Sequence, residues 1–170
     1  MASITGARKS FGCGLVKRMR AAVPDLAVTT DIIVGFPGET EDDFRATLDV
    51  VEEVSFDSAF TFIYSPRAGT EAADMTDQVP ESIKHERLER LVEVVQRIAA
   101  ERNAERVGRV EEVLVEGPSR TDPSRLRGRT RRNTTVNFAG EAAPGDYVPV
   151  EITSATSTTL GGRARATLAA

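Results

Sequence analysis

Residues 32–40 read Ile32-Ile33-Val34-Gly35-Phe36-Pro37-Gly38-Glu39-Thr40, an apolar, β-branched run that ends in a glycine-bearing loop. A second strand-like run begins at Ser58 and ends in the loop Tyr64-Ser65-Pro66-Arg67-Ala68-Gly69-Thr70. Because a helical pattern separates the two runs, they predict a βαβ unit whose two strands are parallel. Both loops then open on the same rim, which is where α/β folds bind ligands.

Helical patterns lie on both sides of this unit. Thr40 is a helix N-cap with Asp43 at the capping-box position, and that helix is expected to reach about Val54. A long helix is predicted to begin at Val79-Pro80 and to end near Arg106, with an apolar stripe along one side. Residues 15–22 are predicted to be the end of a further helix, which Pro24 terminates.

Two parallel strands do not make a complete domain, since a buried parallel sheet needs neighbouring strands and helices on both faces. We therefore expect residues 15–106 to be the C-terminal portion of a larger α/β domain. Asp31 lies inside the first strand, and we expect it to be buried and to pair with a missing neighbour, with a ligand role as the alternative.

The pattern changes beyond Gly108 to short strands separated by turn residues. Five strands in so short a segment indicate a small β-barrel over residues 107–170. The predicted strands are Arg109 to Glu116, Leu126 to Arg131, Thr135 to Phe138, Tyr147 to Ile152 and Thr158 to Ala166.

Composition narrows the class of protein. The chain has 170 residues, of which 40% are hydrophobic and 28% charged, and these values are typical of a globular protein. No run approaches the roughly 18 apolar residues of a membrane span, and residues 1–14 lack a signal-peptide core, so no membrane partner and a cytoplasmic location are expected. Cys13 is the only cysteine, so the chain alone cannot build a cysteine-ligated metal site, and no metal-binding residue is predicted.

Positive charge concentrates in the tail. Residues 1–107 contain 13 basic and 19 acidic residues, whereas residues 108–170 contain 9 basic and 7 acidic ones. If the arginine-rich stretch is extended, Arg125, Arg127, Arg129 and Arg131 share one face of a strand. That face is either a solvated edge protected by charge or a contact with the phosphates of RNA. The arginines of the whole stretch are Arg120, Arg125, Arg127, Arg129, Arg131 and Arg132.

Several of these stretches together resemble the radical S-adenosylmethionine methylthiotransferases. In the front half they are Thr30 to Phe44 and Ser58 to Thr70. In the tail, Val113 to Ser119, Leu126 to Arg131 and Val136-Asn137-Phe138 are similar to the tRNA-modifying, MiaB-type branch. The resemblance extends from about Leu15 to Leu168 and leaves residues 1–14 unmatched.

The resemblance implies a fold of class α/β plus all-β. Residues 15–106 would be the C-terminal part of a partial TIM-like radical-SAM barrel, and residues 107–170 a TRAM domain, an OB-like RNA-binding β-barrel. It also implies S-adenosylmethionine and 4Fe-4S clusters as cofactors. The cluster cysteines of the family are absent from this chain, and Cys13 lies in a stretch that does not match the family's sequence. No catalytic residue is therefore assigned in this chain.

The same resemblance implies which residues line the sites. Glu39 and Arg67 are among the residues implied for S-adenosylmethionine, and each has an alternative. Glu39 would instead stabilise a helix N-terminus, and Arg67 would be an ordinary surface arginine. The residues implied for S-adenosylmethionine are Gly35, Phe36, Pro37, Gly38, Glu39, Tyr64, Ser65 and Arg67. The residues implied for RNA are Arg125, Arg127, Arg129, Arg131, Arg132 and Phe138.

Two functions follow from this resemblance. The first is part of a tRNA methylthiotransferase that adds a methylthio group at C2 of N(6)-dimethylallyladenosine 37, with the tRNA anticodon stem-loop and a cluster-bearing N-terminal half as partners. The alternative is a non-catalytic, stand-alone TRAM-type RNA-binding protein. The unfinished sheet favours the first, and a related enzyme acting on a ribosomal protein is disfavoured by the pattern around Arg129 and Asn137.

Overall fold

The chain divides into two units, unit 1 within Met1–Ile98 and unit 2 within Ala99–Ala170. A computed structural model describes residues 6–165, with the side chains of residues 13–165. No helix in this part of the chain is long and apolar enough to cross a membrane. The helices are α1 (Gly6–Ala22), α2 (Glu41–Val54), α3 (Glu71–Asp74) and α4 (Glu81–Ala104).

Unit 1 contains the predicted βαβ unit. Strands β1 (Thr29–Val34) and β2 (Ser58–Ile63) pair in parallel, from Thr29 opposite Ser58 to Val34 opposite Ile63. This confirms the parallel pair expected from the two glycine-bearing loops. The described residues of unit 1 form only this two-stranded sheet, and the wider partial barrel implied by the resemblance stays a prediction.

Local sequence sets both ends of α2. The Thr40 hydroxyl accepts a hydrogen bond from the Asp43 backbone N–H at 3.2 Å, and the Asp43 carboxylate accepts one from the Thr40 N–H at 3.1 Å. This is the predicted capping box. The helix ends where Ser55 adopts a left-handed conformation and donates its N–H to the Val51 carbonyl.

The core of unit 1 lies between β1, α2 and α4. Each element contributes apolar side chains at the spacing of its own period, which is two residues in a strand and about 3.6 in a helix. The apolar stripe of α4 gains stability mainly by burial against the other two elements. The buried members of this core are Val34, Phe44, Val51, Leu91 and Ile98.

The face of the strand pair that points away from this core, the bare face, is exposed to solvent. Ile33, Phe60 and Phe62 are 56%, 66% and 48% exposed, and Phe62 lies directly beside Ile33 in the register. Asp31 also lies on this face and is exposed, and its pairing with a missing neighbour stays a prediction. The alternating period of β1 turns Asp31 and Ile33 away from the face that packs against α2 and α4.

Unit 2 is a closed five-stranded barrel with the strand order β3-β4-β5-β7-β6. All neighbouring pairs are antiparallel except β5 and β7, which are parallel. The five predicted strands are confirmed, with shifted ends. They are β3 (Val110–Pro118), β4 (Leu126–Thr130), β5 (Thr135–Ala139), β6 (Tyr147–Ala155) and β7 (Thr159–Ala164).

The barrel interior is filled by one cluster of mostly β-branched side chains. Strands β3, β5 and β6 contribute at alternate positions, β7 adds Leu160, and Leu126 of β4 packs against this cluster. Closing so small a barrel also requires very close strand contacts, and Gly128 provides one of them in β4. The core residues are Val113, Val115, Val136, Phe138, Val150, Ile152 and Leu160.

We predict that Gly128→Ala destabilises the barrel. A Cβ at this position would collide with the Leu114 carbonyl oxygen and would lie 2.5 Å from the Val113 side chain. Relief of such overpacking typically costs about 1–3 kcal/mol. Urea unfolding followed by circular dichroism measures the change.

Gly14→Ala in α1 is the matched control, because a Cβ there meets no atom within 4 Å. Alanine also favours the helix relative to glycine, so this variant should be neutral or slightly stabilising. Equal stability of Gly128→Ala and the native chain would show that the close approach of β3 and β4 is not needed.

Candidate functional site

The first rim loop, residues 35–40, follows β1 and contacts the beginning of α4. Gly35 has a φ of +76°, a left-handed conformation that favours glycine. A Cβ at Gly35 would collide with the aliphatic stem of Lys84, a side chain that is almost fully buried. Glycine is therefore required here for helix packing, independently of the predicted ligand.

Glu39 locks this loop in place. Its carboxylate accepts a hydrogen bond from the Gly35 N–H at 2.8 Å and forms an ion pair with Arg87 at 2.7 Å. Arg87 also donates to the Glu39 carbonyl at 3.0 Å. The two side chains are 12% and 6% exposed, so the charges are paired and largely removed from water. This contact differs from both roles considered for Glu39 from sequence, the pocket lining and the helix N-terminus.

An aromatic pair lies where the two rim loops meet. Phe36 packs edge-on against Tyr64, with the ring centres 5.2 Å apart, and keeps 42% of its surface exposed. The Lys84 ammonium lies 5.6 Å from the Tyr64 ring centre and 2.7 Å from the Glu81 carboxylate, and its hydrogen bond lowers the pKa of that carboxyl. The Tyr64 hydroxyl is buried and has no hydrogen-bond partner among the described residues.

The second rim loop, residues 64–70, is exposed. The Thr70 hydroxyl donates to the Arg67 carbonyl at 2.8 Å and thereby closes the loop on itself. Ser65 and the Arg67 guanidinium face solvent, and the structure gives the guanidinium no ion pair among residues 13–165. The structure thus brings the two loops together as predicted, while their role in binding S-adenosylmethionine stays a prediction.

Only some of the arginines predicted to bind RNA lie together on one strand of the barrel. Arg127 and Arg129 lie on the outer surface of β4, and both form ion pairs with Glu116 of β3, at 3.1 and 3.3 Å. Arg125 precedes the strand, and Arg131 and Arg132 follow it. The single four-arginine face expected from alternation is therefore wrong, because β4 is only five residues long.

Phe138 cannot act as predicted. Its ring is 0% exposed and belongs to the barrel core, so it cannot stack on an RNA base. The exposed aromatic residue of the barrel is Tyr147, at 66%, which was not selected from sequence. The sequence did contain a signal for the exposure of Tyr147, because the alternation of β6 sends Val148, Val150 and Ile152 toward the interior and Tyr147 outward.

Comparison with known proteins agrees with this architecture. Residues 104–164 match the family model for the TRAM domain. The chain is 53% identical over 149 residues to a tRNA-2-methylthio-N(6)-dimethylallyladenosine synthase of Thermoanaerobacter sp. (strain X514), covering 87% of this chain and 32% of that protein. The chain thus contains a TRAM domain and is similar over most of its length to a synthase of this name. Synthases of the same name from Clostridium novyi (strain NT) and Geobacillus kaustophilus (strain HTA426) are each 54% identical over 87% of the chain, which covers 33% and 28% of them.

The family relationship covers a limited part of the enzyme. The chain spans about a third of the length of the curated relatives it matches and corresponds to a C-terminal part of them. The TRAM match in unit 2 and the similarity across most of the chain agree with one another.

The described residues do not fit an iron–sulfur cluster. Such clusters are held by several cysteine thiolates, whereas Cys13 is the only cysteine of the chain and is 3% exposed in α1. No group of three or more metal-ligating side chains occurs in the part of the chain that the structure describes. No chemical step on a cluster is therefore assigned to this chain.

We predict that Glu39→Gln destabilises unit 1. The change leaves the buried Arg87 with only its longer ion pair to Glu41, at 3.9 Å, and loss of the close partner of such a buried pair costs on the order of 3 kcal/mol. Chemical unfolding monitored by helical ellipticity measures the difference.

Glu86→Gln provides the control, since Glu86 pairs with Arg90 at the exposed surface of α4, where a pair contributes about 0.3–0.5 kcal/mol. If the two variants lose the same small stability, the carboxylate of Glu39 does not hold the rim loop.

Proposed function

We propose that this chain supplies the C-terminal part of a tRNA methylthiotransferase. The whole enzyme would add a methylthio group to C2 of N(6)-dimethylallyladenosine 37 in tRNA by radical S-adenosylmethionine chemistry. The observation that carries this proposal is the 53% identity over 149 residues to synthases named for that product. The front of the enzyme, about two thirds of the length of those relatives, would carry the cluster ligands that this chain lacks.

The bare face of the strand pair supports a larger assembly. Parallel sheets are normally covered on both faces, and a two-stranded sheet is marginal by itself. Ile33, Phe60 and Phe62 place a contiguous apolar surface in water. Burial of that surface by further strands and helices of a partial TIM-like radical-SAM barrel would stabilise it, at about 25 cal/mol per Å² of apolar area.

The rim loops have a surface suited to a nucleoside with a charged tail. The exposed Phe36 ring offers a flat apolar contact for an adenine, and the Arg67 guanidinium offers a bidentate contact for a carboxylate. These features support assigning part of the S-adenosylmethionine site to this rim, at Gly35, Phe36, Pro37, Gly38, Glu39, Tyr64, Ser65 and Arg67.

The barrel is proposed to bind the tRNA. TRAM domains are RNA-binding modules by the resemblance, and the outer surface of β4 and the turn after it present arginines at 22%, 35% and 82% side-chain exposure, namely Arg127, Arg129 and Arg131. Glu116 and Glu112 hold these arginines in place but neutralise part of their charge. Phosphate contacts by a few such arginines would give moderate, salt-sensitive affinity.

A chimera tests the proposed enzyme. The matching C-terminal segment of the Thermoanaerobacter sp. (strain X514) synthase is replaced by this chain, and the chimera is expressed in cells that lack the corresponding activity. We expect 2-methylthio-N(6)-dimethylallyladenosine in digested tRNA, measured by mass spectrometry. The same synthase without its C-terminal segment serves as the negative control.

The outcome that contradicts the proposal is specific. A chimera that accumulates as a folded, iron-containing protein yet yields no methylthiolated nucleoside would exclude the enzyme assignment. If the chain itself then bound tRNA, the non-catalytic, stand-alone RNA-binding function would be favoured, because the barrel closes around a core of its own.

We predict that Arg129→Ala combined with Arg131→Ala weakens tRNA binding by the full chain. Each lost phosphate contact should also reduce the slope of log affinity against log salt by roughly 0.7 to 0.9. Filter binding over a series of salt concentrations measures both quantities.

Arg163→Ala combined with Arg165→Ala is the matched control, because it removes the same charge from a pair held by Glu151 elsewhere on the barrel. Equal losses in the two double variants would mean that net charge, rather than the surface around β4, sets the affinity.

A further inference from the structure

The outer surface of the barrel carries a row of three side chains across neighbouring strands. In the strand register, Leu114 of β3 lies opposite Tyr147 of β6 on one side and opposite Arg129 of β4 on the other. Val113 and Val115 point into the core, so Leu114 and its two neighbours point outward. The row therefore presents a tyrosine ring, an apolar centre and a guanidinium side by side.

This row forms the floor of a shallow groove of about 490 Å³. The volume lies within the range of about 300–1,000 Å³ that is usual for small-ligand sites. Tyr147 is 66% exposed, so one side of its ring is available to an incoming group. The lining residues are Glu112, Leu114, Arg129, Thr130, Arg131 and Tyr147.

The backbone around Tyr147 is held firmly. The Asp146 carbonyl accepts the Val115 N–H, and the Gly145 N–H donates to the Val115 carbonyl, each at 2.9 Å. The Asp146 carboxylate accepts the Ala143 N–H, also at 2.9 Å. An aromatic ring on so well fixed a turn loses little conformational entropy when a ligand packs against it.

The charges of the groove are arranged for a nucleotide. Arg129 is oriented by Glu116 and by the Asn133 carbonyl at 3.0 Å. Arg131 is 82% exposed and lies 3.7 Å from Glu112, so only a weak surface pair has to be exchanged for a phosphate. A flat ring with two guanidinium groups beside it is the combination by which proteins bind single-stranded nucleic acid.

We propose that Tyr147 is a stacking platform for one unpaired base of the bound RNA, with Arg131 contacting the adjacent phosphate. The inference rests on the proposed function, because it takes the tRNA as the ligand of the barrel. An unpaired nucleotide is favoured over a duplex, since the bases of A-form RNA are stacked internally and leave only edges and phosphates accessible. Tyr147 thereby takes the role that was assigned from sequence to the buried Phe138.

The test uses the full chain and two RNA probes, a stem-loop carrying 2-aminopurine at its unpaired positions and a blunt duplex of the same stem. We expect Tyr147→Ala to weaken stem-loop binding about tenfold, as loss of one base–aromatic stack does. Duplex binding and the salt dependence should stay unchanged. Stacking on the ring should also quench or shift the 2-aminopurine fluorescence with the native chain and not with Tyr147→Ala.

Tyr147→Phe is the matched variant, because it keeps the ring and removes only the hydroxyl, and it should bind the stem-loop like the native chain. Thermal unfolding of both variants verifies that the barrel is intact. Native-like stem-loop binding by Tyr147→Ala, or an equal loss on the duplex, would overturn the inference and leave the proposed function standing. Absence of RNA binding by the native chain at low salt would overturn the proposed RNA role itself.

Discussion

Successive side chains of a β-strand point to opposite faces, and both units of this protein depend on that alternation. In unit 1 it sends Val34 into the core and Ile33 into solvent from adjacent positions of β1. In unit 2 it sends Val113 and Val115 inward and Leu114 outward. One constraint thus produces two apolar cores, a bare sheet face and a ligand-sized groove.

The first rim loop and the arginine-bearing surface around β4 differ in the ion pairs that stabilise them. The first rim loop is fixed by a buried ion pair, in which Glu39 and Arg87 satisfy one another and the Gly35 amide. The arginines around β4 are held by exposed glutamates, which contribute little to stability and are readily exchanged. A buried pair suits a scaffold that must keep one shape, whereas exposed pairs suit side chains that must change partners when a phosphate arrives.

Secondary structure was predictable where a local signal decides it. The capping box of Thr40 and Asp43, the glycine-bearing loops and the period-two pattern of the tail led to the parallel pair and the five barrel strands. The side-chain environments were less predictable. Phe138 resembled a surface aromatic within an RNA-binding motif, but the barrel closes over its ring, while Tyr147, in a strand that was itself predicted, carries the exposed one.

The sequence by itself determined the order and type of the elements, the resemblance to the synthases and the absence of a cysteine set, because these depend on residue identity and on contacts between near neighbours in the chain. Only the tertiary structure decided that Glu39 pairs with Arg87, that Arg127 and Arg129 share Glu116, and that Tyr147, Leu114 and Arg129 form one row. Those partners lie 11 to 48 residues apart in the chain, from Glu116 and Arg127 to Glu39 and Arg87. Their meeting is set by strand register and by how helices pack on a sheet, which no local pattern encodes.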